Sequence, residues 1–248
     1  MKMKVKFISL LILAILLIAS FCIFVFYKQT KNAQTRKQTI RKMCMIGILS
    51  ALSVILYFIK TPLPFFVSFL EIQFSNLPVL LGSFMFGPIE GAMIAIIRTI
   101  VKIPFTHTLC VGELQDLIIS LAICCVSGFV YMKKKTKKTA VVALIFSSIM
   151  WTLIAVLSNA FVSIPIYIRF MFNGNEEILA NIIGQVIPNV TVENYLIKYL
   201  LLSCLPFNVL LSTLVSVVTF LVYKKSSILF KRFIDKGVEE DETNISEC

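Results

Sequence analysis

The sequence predicts an all-α integral membrane protein: a bundle of six core helices, with one extra hydrophobic helix ahead of it at the N-terminus. Three observations predict this. Apolar residues fill 58% of the 248 positions and charged residues only 15%, with a mean hydropathy of +0.91, whereas a soluble domain carries about a quarter charged residues. The apolar residues fall in runs comparable to the ~20 needed to cross about 30 Å of hydrocarbon. The basic residues behind the net charge of +11 gather at the ends of those runs and form no single face. Membrane proteins keep cytoplasmic lysines in this way, which argues against nucleic-acid binding.

Taken in order, residues 7–27 form the first run, between Lys2, Lys4, Lys6 and Lys28, Lys31, Arg36, Lys37. The run is long for a signal-peptide apolar region, with no convincing small-x-small cleavage site, and Phe21 before Cys22 argues against lipoprotein processing. Residues 1–28 are therefore read as an extra transmembrane helix or signal anchor. Residues 29–40 read as a basic cytoplasmic linker, 41–225 as the six-helix core, and 226–248 as an acidic cytoplasmic tail. The first core helix, about 41–59, stops where Pro62 and Pro64 forbid continuation. An apolar, irregular loop follows to residue 75.

The stretch 76–104 can be one helix, or two broken at Gly87-Pro88, and charge decides between them. Splitting it puts the five lysines of 133–138 on the same side as the six basic residues of 28–42 and the four of 224–232. The other side then holds little beyond Lys60, Arg169 and Lys102 near a helix end, as the positive-inside rule requires. The core helices become 41–59, 76–87, 88–104, 113–132, 139–168 and 191–224, with both core termini cytoplasmic and a polar loop over about 169–190. The split has a cost. Residues 76–87 rise only about 18 Å, so they must pack against protein or thin the bilayer.

Enzyme readings find no support: the sequence has no GxxxxGK[ST], HExxH or GxSxG segment. The sole histidine is His107, and none of the seven cysteines forms a CxxC pair, so a zinc ligand set is missing and no metal site is expected. Polar residues inside helices are more informative, because lipid makes them costly. Asn159, Asn208, Glu113 and Asp116 all fall toward the outer side of this topology. Together with the Phe-rich loop 60–75 they suggest an outward cavity for a neutral heteroaromatic ligand. Each asparagine could equally serve only to bond a neighbouring helix. Arg98 is read as snorkelling or pairing with an acid. Gly47 and Ala51, four apart beside Ser50, allow close approach of another helix, and a partner membrane subunit would explain them.

Several segments resemble the riboflavin-specific S components of energy-coupling-factor (ECF) transporters. They are Leu70-Glu71-Ile72-Gln73-Phe74-Ser75-Asn76-Leu77-Pro78 with Phe86-Gly87-Pro88 and Gly91; Val111-Gly112-Glu113-Leu114; the lysines of 133–138; Asn159 with Pro165 and Tyr167; and Leu205-Pro206-Phe207-Asn208. Order and spacing agree over about 40–225. The resemblance implies a six-helix S-component bundle in the cell membrane that captures a vitamin from outside. A coupling transmembrane subunit and two cytosolic ATPases would supply the energy. It implies riboflavin as a transported ligand rather than a cofactor, with another vitamin or a nucleobase-like compound as the alternative; apart from the resemblance, a membrane scaffold or enzyme is the remaining reading. The implied ligand residues are Phe66, Leu70, Glu71, Gln73, Gly112, Glu113, Asn159, Tyr167, Asn208 and Leu211. Phe66 and Leu70 would sit on a lid, and Gly47 and Ala51 would meet the coupling subunit. The resemblance departs at Leu211, where that family tends to carry a lysine.

Overall fold

A computed structural model describes residues 36–106 and 110–223. The N-terminal hydrophobic helix, residues 29–35 of the linker, His107 and the acidic tail lie outside the described residues.

Helix α1, Arg36–Phe58, buries one stripe, Ile46, Leu49, Ser50, Ser53 and Tyr57. That spacing of three and four keeps them on a single face. The loop after it is less irregular than its sequence suggests. Thr61–Pro62 (β1) pairs antiparallel with Glu71–Ile72 (β2), Thr61 opposite Ile72 and Pro62 opposite Glu71, and a Lys60–Glu71 ion pair of 2.7 Å lies beside them. The loop held between these strands folds onto the bundle. Val67 and Leu70 are buried, and the Val67 N–H donates to Ser203 Oγ at 3.3 Å.

The break at Gly87-Pro88 is present. Helix α2, Asn76–Met85, and helix α3, Pro88–Lys102, meet at Gly87, whose φ of 125° is open to glycine and strained for L residues with a side chain. Proline then occupies the first turn of α3, where its missing N–H costs nothing. Helix α2 is too short to span hydrocarbon, and it is buried on all sides from Asn76 to Phe84. Protein packing therefore solves its length problem. Helix α4, Val111–Lys133, lies beside both. The approach is close: a Cβ on Gly128 would sit 2.8 Å from the ring of Pro88.

Helix α5 runs Lys137–Met171 and helix α7 runs Tyr195–Tyr223. Both contain a proline that a regular α-helix would resist, since it lacks an N–H and its ring meets the carbonyl four residues back. Both widen into π turns just before it: Asn159–Ser163 ahead of Pro165, and Leu200–Cys204 ahead of Pro206. The Ile164 N–H bonds back to the Asn159 carbonyl, and the Leu205 N–H to the Leu200 carbonyl, five residues away in each case. Within the stretch read as a polar loop the structure has a further helix, α6, Glu176–Gly184. The Asn175 side chain caps it by accepting the Glu177 N–H at 2.9 Å, and Leu179, Ala180 and Ile183 form its buried face.

Among the described residues four helices are long and apolar enough to cross a membrane, namely α4, α5, α7 and α1 from Ile40. Their outward faces carry Ile48, Leu52 and Ile55, then Ile145, Ile149 and Leu153, then Leu214, Val217 and Leu221. Water would not tolerate so continuous an apolar surface, but lipid does.

Candidate functional site

Two cavities stand out. The larger, about 920 Å³, runs along the outside between α5 and α7 and is lined by aliphatic side chains with Ser and Thr hydroxyls. It has no charged group and no amide, and it faces the lipid side. The smaller, about 150 Å³, lies inside one end of the bundle under the β1–β2 loop, with polar and apolar surface in near-equal measure. Mixed lining with convergent polar groups marks a ligand site more than size does.

Nine of the ten residues expected to touch a ligand line this smaller cavity: Leu70, Glu71, Gln73, Gly112, Glu113, Asn159, Tyr167, Asn208 and Leu211. The tenth, Phe66, stands one layer behind. Its ring packs edge-on at 5.3 Å against Phe207, which does line the cavity. Phe69 spans the same roof, 5.4 Å from the Tyr199 ring and 6.1 Å from that of Tyr167.

The amides do two things at once. Asn208 Nδ2 donates to the Cys204 carbonyl at 2.8 Å, and its Oδ1 accepts from Trp151 Nε1 at 3.2 Å. Asn159 Nδ2 donates to the Ala155 carbonyl at 2.8 Å, and its Oδ1 accepts from the Tyr199 hydroxyl at 2.8 Å. Helix-to-helix bonding and cavity lining are thus combined in each residue. An amide has two N–H donors and two lone pairs, so these bonds fix its orientation and leave capacity for a ligand. Gln73 Oε1 is buried and accepts no hydrogen bond among the described residues.

The floor holds a charge network of which the sequence disclosed only the pairing of Arg98 with an acid. Arg98 is 0% exposed. Its Nη1 donates to Ser75 Oγ at 3.0 Å and Asn76 Oδ1 at 2.9 Å; its Nη2 reaches Ser120 Oγ at 2.6 Å and Asp116 Oδ2 at 3.2 Å. Lys102, one turn later, donates to the same Asp116 oxygen at 2.7 Å, with Nζ 3.7 Å from the centre of the Tyr57 ring. The Tyr57 hydroxyl donates to Glu113 Oε1 at 3.3 Å, and Thr106 Oγ1 to Glu113 Oε2 at 2.8 Å. Of the two readings of Arg98, pairing with an acid is the one observed. Lys102, counted in the sequence as an outer flanking charge, is only 1% exposed and lines the cavity. The four-residue spacing of Arg98 and Lys102, which stacks two cations on one face of α3, was the available signal. Tyr57, Gln115 and Trp151 also line the cavity unforeseen.

Gly47 and Ala51 lie elsewhere. Both are exposed on the side of α1 away from its buried stripe, and a Cβ on Gly47 would meet nothing within 4 Å.

The model of the family "ECF transporter, substrate-specific component" matches residues 41–223. The chain belongs to that family. It is 26% identical over 192 residues to the riboflavin transporter RibU of Staphylococcus aureus, covering 77% of this chain and 93% of that protein. Against the riboflavin transporter RibU of Streptococcus thermophilus it is 28% identical over 195 residues, 77% of this chain and 85% of the other. Against the riboflavin transporter FmnP of Bacillus subtilis it is 20% identical over 189 residues, 75% of this chain and 92% of the other. A solved structure described as the S component of a bacterial ECF transporter superposes with a TM-score of 0.60 at 25% identity, over 78% of this chain and 99% of that one. An ECF substrate-specific component is a membrane transport subunit, and the cavity beneath the β1–β2 loop is its candidate substrate site.

Proposed function

We propose that this S component captures riboflavin from outside the cell and delivers it inward. A coupling transmembrane subunit and two cytosolic ATPases would drive the step, the former contacting α1 at Gly47 and Ala51. The observation that carries the substrate is the cavity's chemistry: Trp151, Tyr167, Phe207 and Phe69 supply aromatic surface for a flat ring system, and Asn159, Asn208 and Gln73 can read the donors and acceptors on its edge. Three relatives in different genera are named as riboflavin transporters, which supports the same ligand. The cell membrane is the proposed location, with both core termini cytoplasmic and the cavity outward, following the distribution of lysines.

The cavity of about 150 Å³ is smaller than the ~300–1,000 Å³ typical of pockets for ligands of this size. Admission of a flavin therefore needs the β1–β2 loop, or the Phe66 and Phe69 rings beneath it, to give way. The test uses the chain's only tryptophan. Trp151 lines the cavity, so riboflavin bound there quenches its emission. Detergent-purified protein should be yellow or, once stripped, show saturable quenching at micromolar riboflavin or below. The absence of both colour and quenching would reject riboflavin as the substrate.

A further inference from the structure

The larger groove, between α5 and α7, takes no part in the substrate site. It follows residues 141–157 of α5 and 205–221 of α7, with lining positions mostly three or four apart on each helix. Each wall therefore rises about 24 Å, most of the ~30 Å of hydrocarbon. The rims are bulky, with Ile145 and Val217 more than half exposed. The floor is small: Ser148, Thr152, Ser212 and Ser216. Its hydroxyls are spent within the two helices. Ser148 and Ser216 bond each other at 2.8 Å, Thr152 donates to the Ser148 carbonyl at 3.0 Å, and Ser212 to the Val209 carbonyl at 3.2 Å. What faces outward is an apolar channel of about 920 Å³ with no charged residue in its lining. Helices in lipid have no hydrophobic drive to associate and rely on close packing over small residues, so a channel with this floor seats another helix.

We propose that residues 7–27 of this chain dock in that groove as a seventh membrane helix, parallel to α7. The run lies ahead of the family match, which begins at residue 41. It is uncharged, and 14 of its 21 residues are Leu, Ile or Phe, side chains large enough to reach a floor of serines and a threonine. As a helix it rises about 31 Å, so it covers the whole groove. The tether permits this. Residues 28–35 extend to about 26–29 Å between the run and Arg36, where α1 starts. Helix α1 packs against α3, α3 against α4 and α4 against α5, three steps of about 8–10 Å each. Direction agrees as well, on the topology proposed above: Tyr27 at the tethered end and Tyr223 at the last turn of α7 both lie at the cytoplasmic face. The six basic residues of 28–42 outnumber Lys2, Lys4 and Lys6 and hold the tethered end inside. An occupant on a short tether is present at an effective concentration on the order of millimolar, which favours it over a second copy or a free partner. The outer end of the groove, at Leu157 and Leu205, adjoins both π turns. The docked run thus braces the two helices that carry Asn159 and Asn208.

Disulfide trapping in native membranes tests this, on the full chain with Cys44 and Cys248 changed to serine and a protease site placed within residues 28–35. With Tyr27 level with Tyr223, Cys22 stands beside Val217, five and six residues in from the same face, so Val217→Cys is the reporter. Met93→Cys is the control. It is exposed on α3, five residues after that helix starts at Pro88, and α3 packs directly against α1. The cysteine of the run is kept at 22, or moved by Phe21→Cys, Ile23→Cys or Phe24→Cys, each with Cys22→Ser, so that one full turn is sampled. After oxidation and cleavage, a run trapped by Val217→Cys stays on the core in a non-reducing gel. Docking predicts trapping from one face of that turn, with a yield several-fold above the Met93→Cys control. Ser216→Leu, which raises the floor, should cut the yield to the control level. Docking is refuted if no position traps, or if Met93→Cys traps as well as Val217→Cys, the mark of a run free in the lipid. A disulfide-linked dimer of chains refutes it too and makes a second copy the occupant, and so does mass spectrometry that finds the run removed. An unchanged yield in Ser216→Leu removes the groove as the seat. None of these outcomes bears on riboflavin, so the substrate reading stands or falls separately.

Discussion

Asn208 is the residue on which the two uses of a buried amide can be separated. Leucine at this position has the same branching and a larger volume, so it opens no void, but it deletes three hydrogen bonds, to the Cys204 carbonyl at 2.8 Å, to Cys204 Sγ at 3.6 Å and from Trp151 Nε1 at 3.2 Å. The orphaned indole N–H would cost about 1–3 kcal/mol in a dry site, reduced toward ~0.6 kcal/mol where a membrane environment offers alternatives. That is a stability effect, and a protein several kcal/mol stable stays almost wholly folded through it. Affinity responds separately. If the Asn208 amide meets the ligand, through its remaining oxygen lone pair or an N–H exchanged from the weak Cys204 Sγ contact, Asn208→Leu weakens riboflavin by a further ~1–3 kcal/mol, roughly 5- to 150-fold in Kd. The assay follows flavin fluorescence on titration, alongside the thermal midpoint in detergent. Adding Trp151→Phe removes the stranded N–H, so the double variant should regain stability without regaining affinity. Wild-type affinity in Asn208→Leu would refute the amide as a ligand contact and leave it as a helix-to-helix bond.

Three further substitutions test the scaffold around the site. Arg98→Met removes four contacts and leaves Asn76, Ser120 and one face of Asp116 without their cation; it should cost about 3–5 kcal/mol and appear as aggregation or a sharply lower thermal midpoint. Gly128→Ala drives a methyl to 2.8 Å from the rigid Pro88 ring and should cost about 1–3 kcal/mol, read from the same melting curve; an unchanged midpoint would show that α3 can retreat. Gly47→Leu enters open space, so folding and riboflavin titration should match wild type while copurification with the coupling subunit and cellular uptake fall; intact uptake would remove α1 from the partner interface.

The helices were legible because their signals are local and periodic. Apolar runs, lysine clusters and the Gly87-Pro88 pair locate α1 to α5 and α7 within a few residues, and the charge argument for splitting 76–104 matches the observed break between α2 and α3. Helix α6 was not legible in that way. Its nine residues carry two glutamates and only a short apolar stripe, a pattern that reads as loop until Leu179 and Ile183 find a core to join.

The part of Lys102 in the charge network failed to show for a different reason. In a membrane protein a lysine near a helix end is read by depth, as a group reaching for water, and Lys102 stands at the last turn of α3. Depth along the helix axis says nothing about direction around it. What turns Lys102 inward is Asp116, fourteen positions later on α4, and no single-helix pattern contains that pairing. The same blindness affects Leu211. The resemblance alone marks it as a leucine where a lysine is expected, but the cavity it lines holds Lys102 from another helix. A cavity assembled from six segments has its chemistry set as a sum over walls, so a departure at one position can be weighed only after the opposite wall is known.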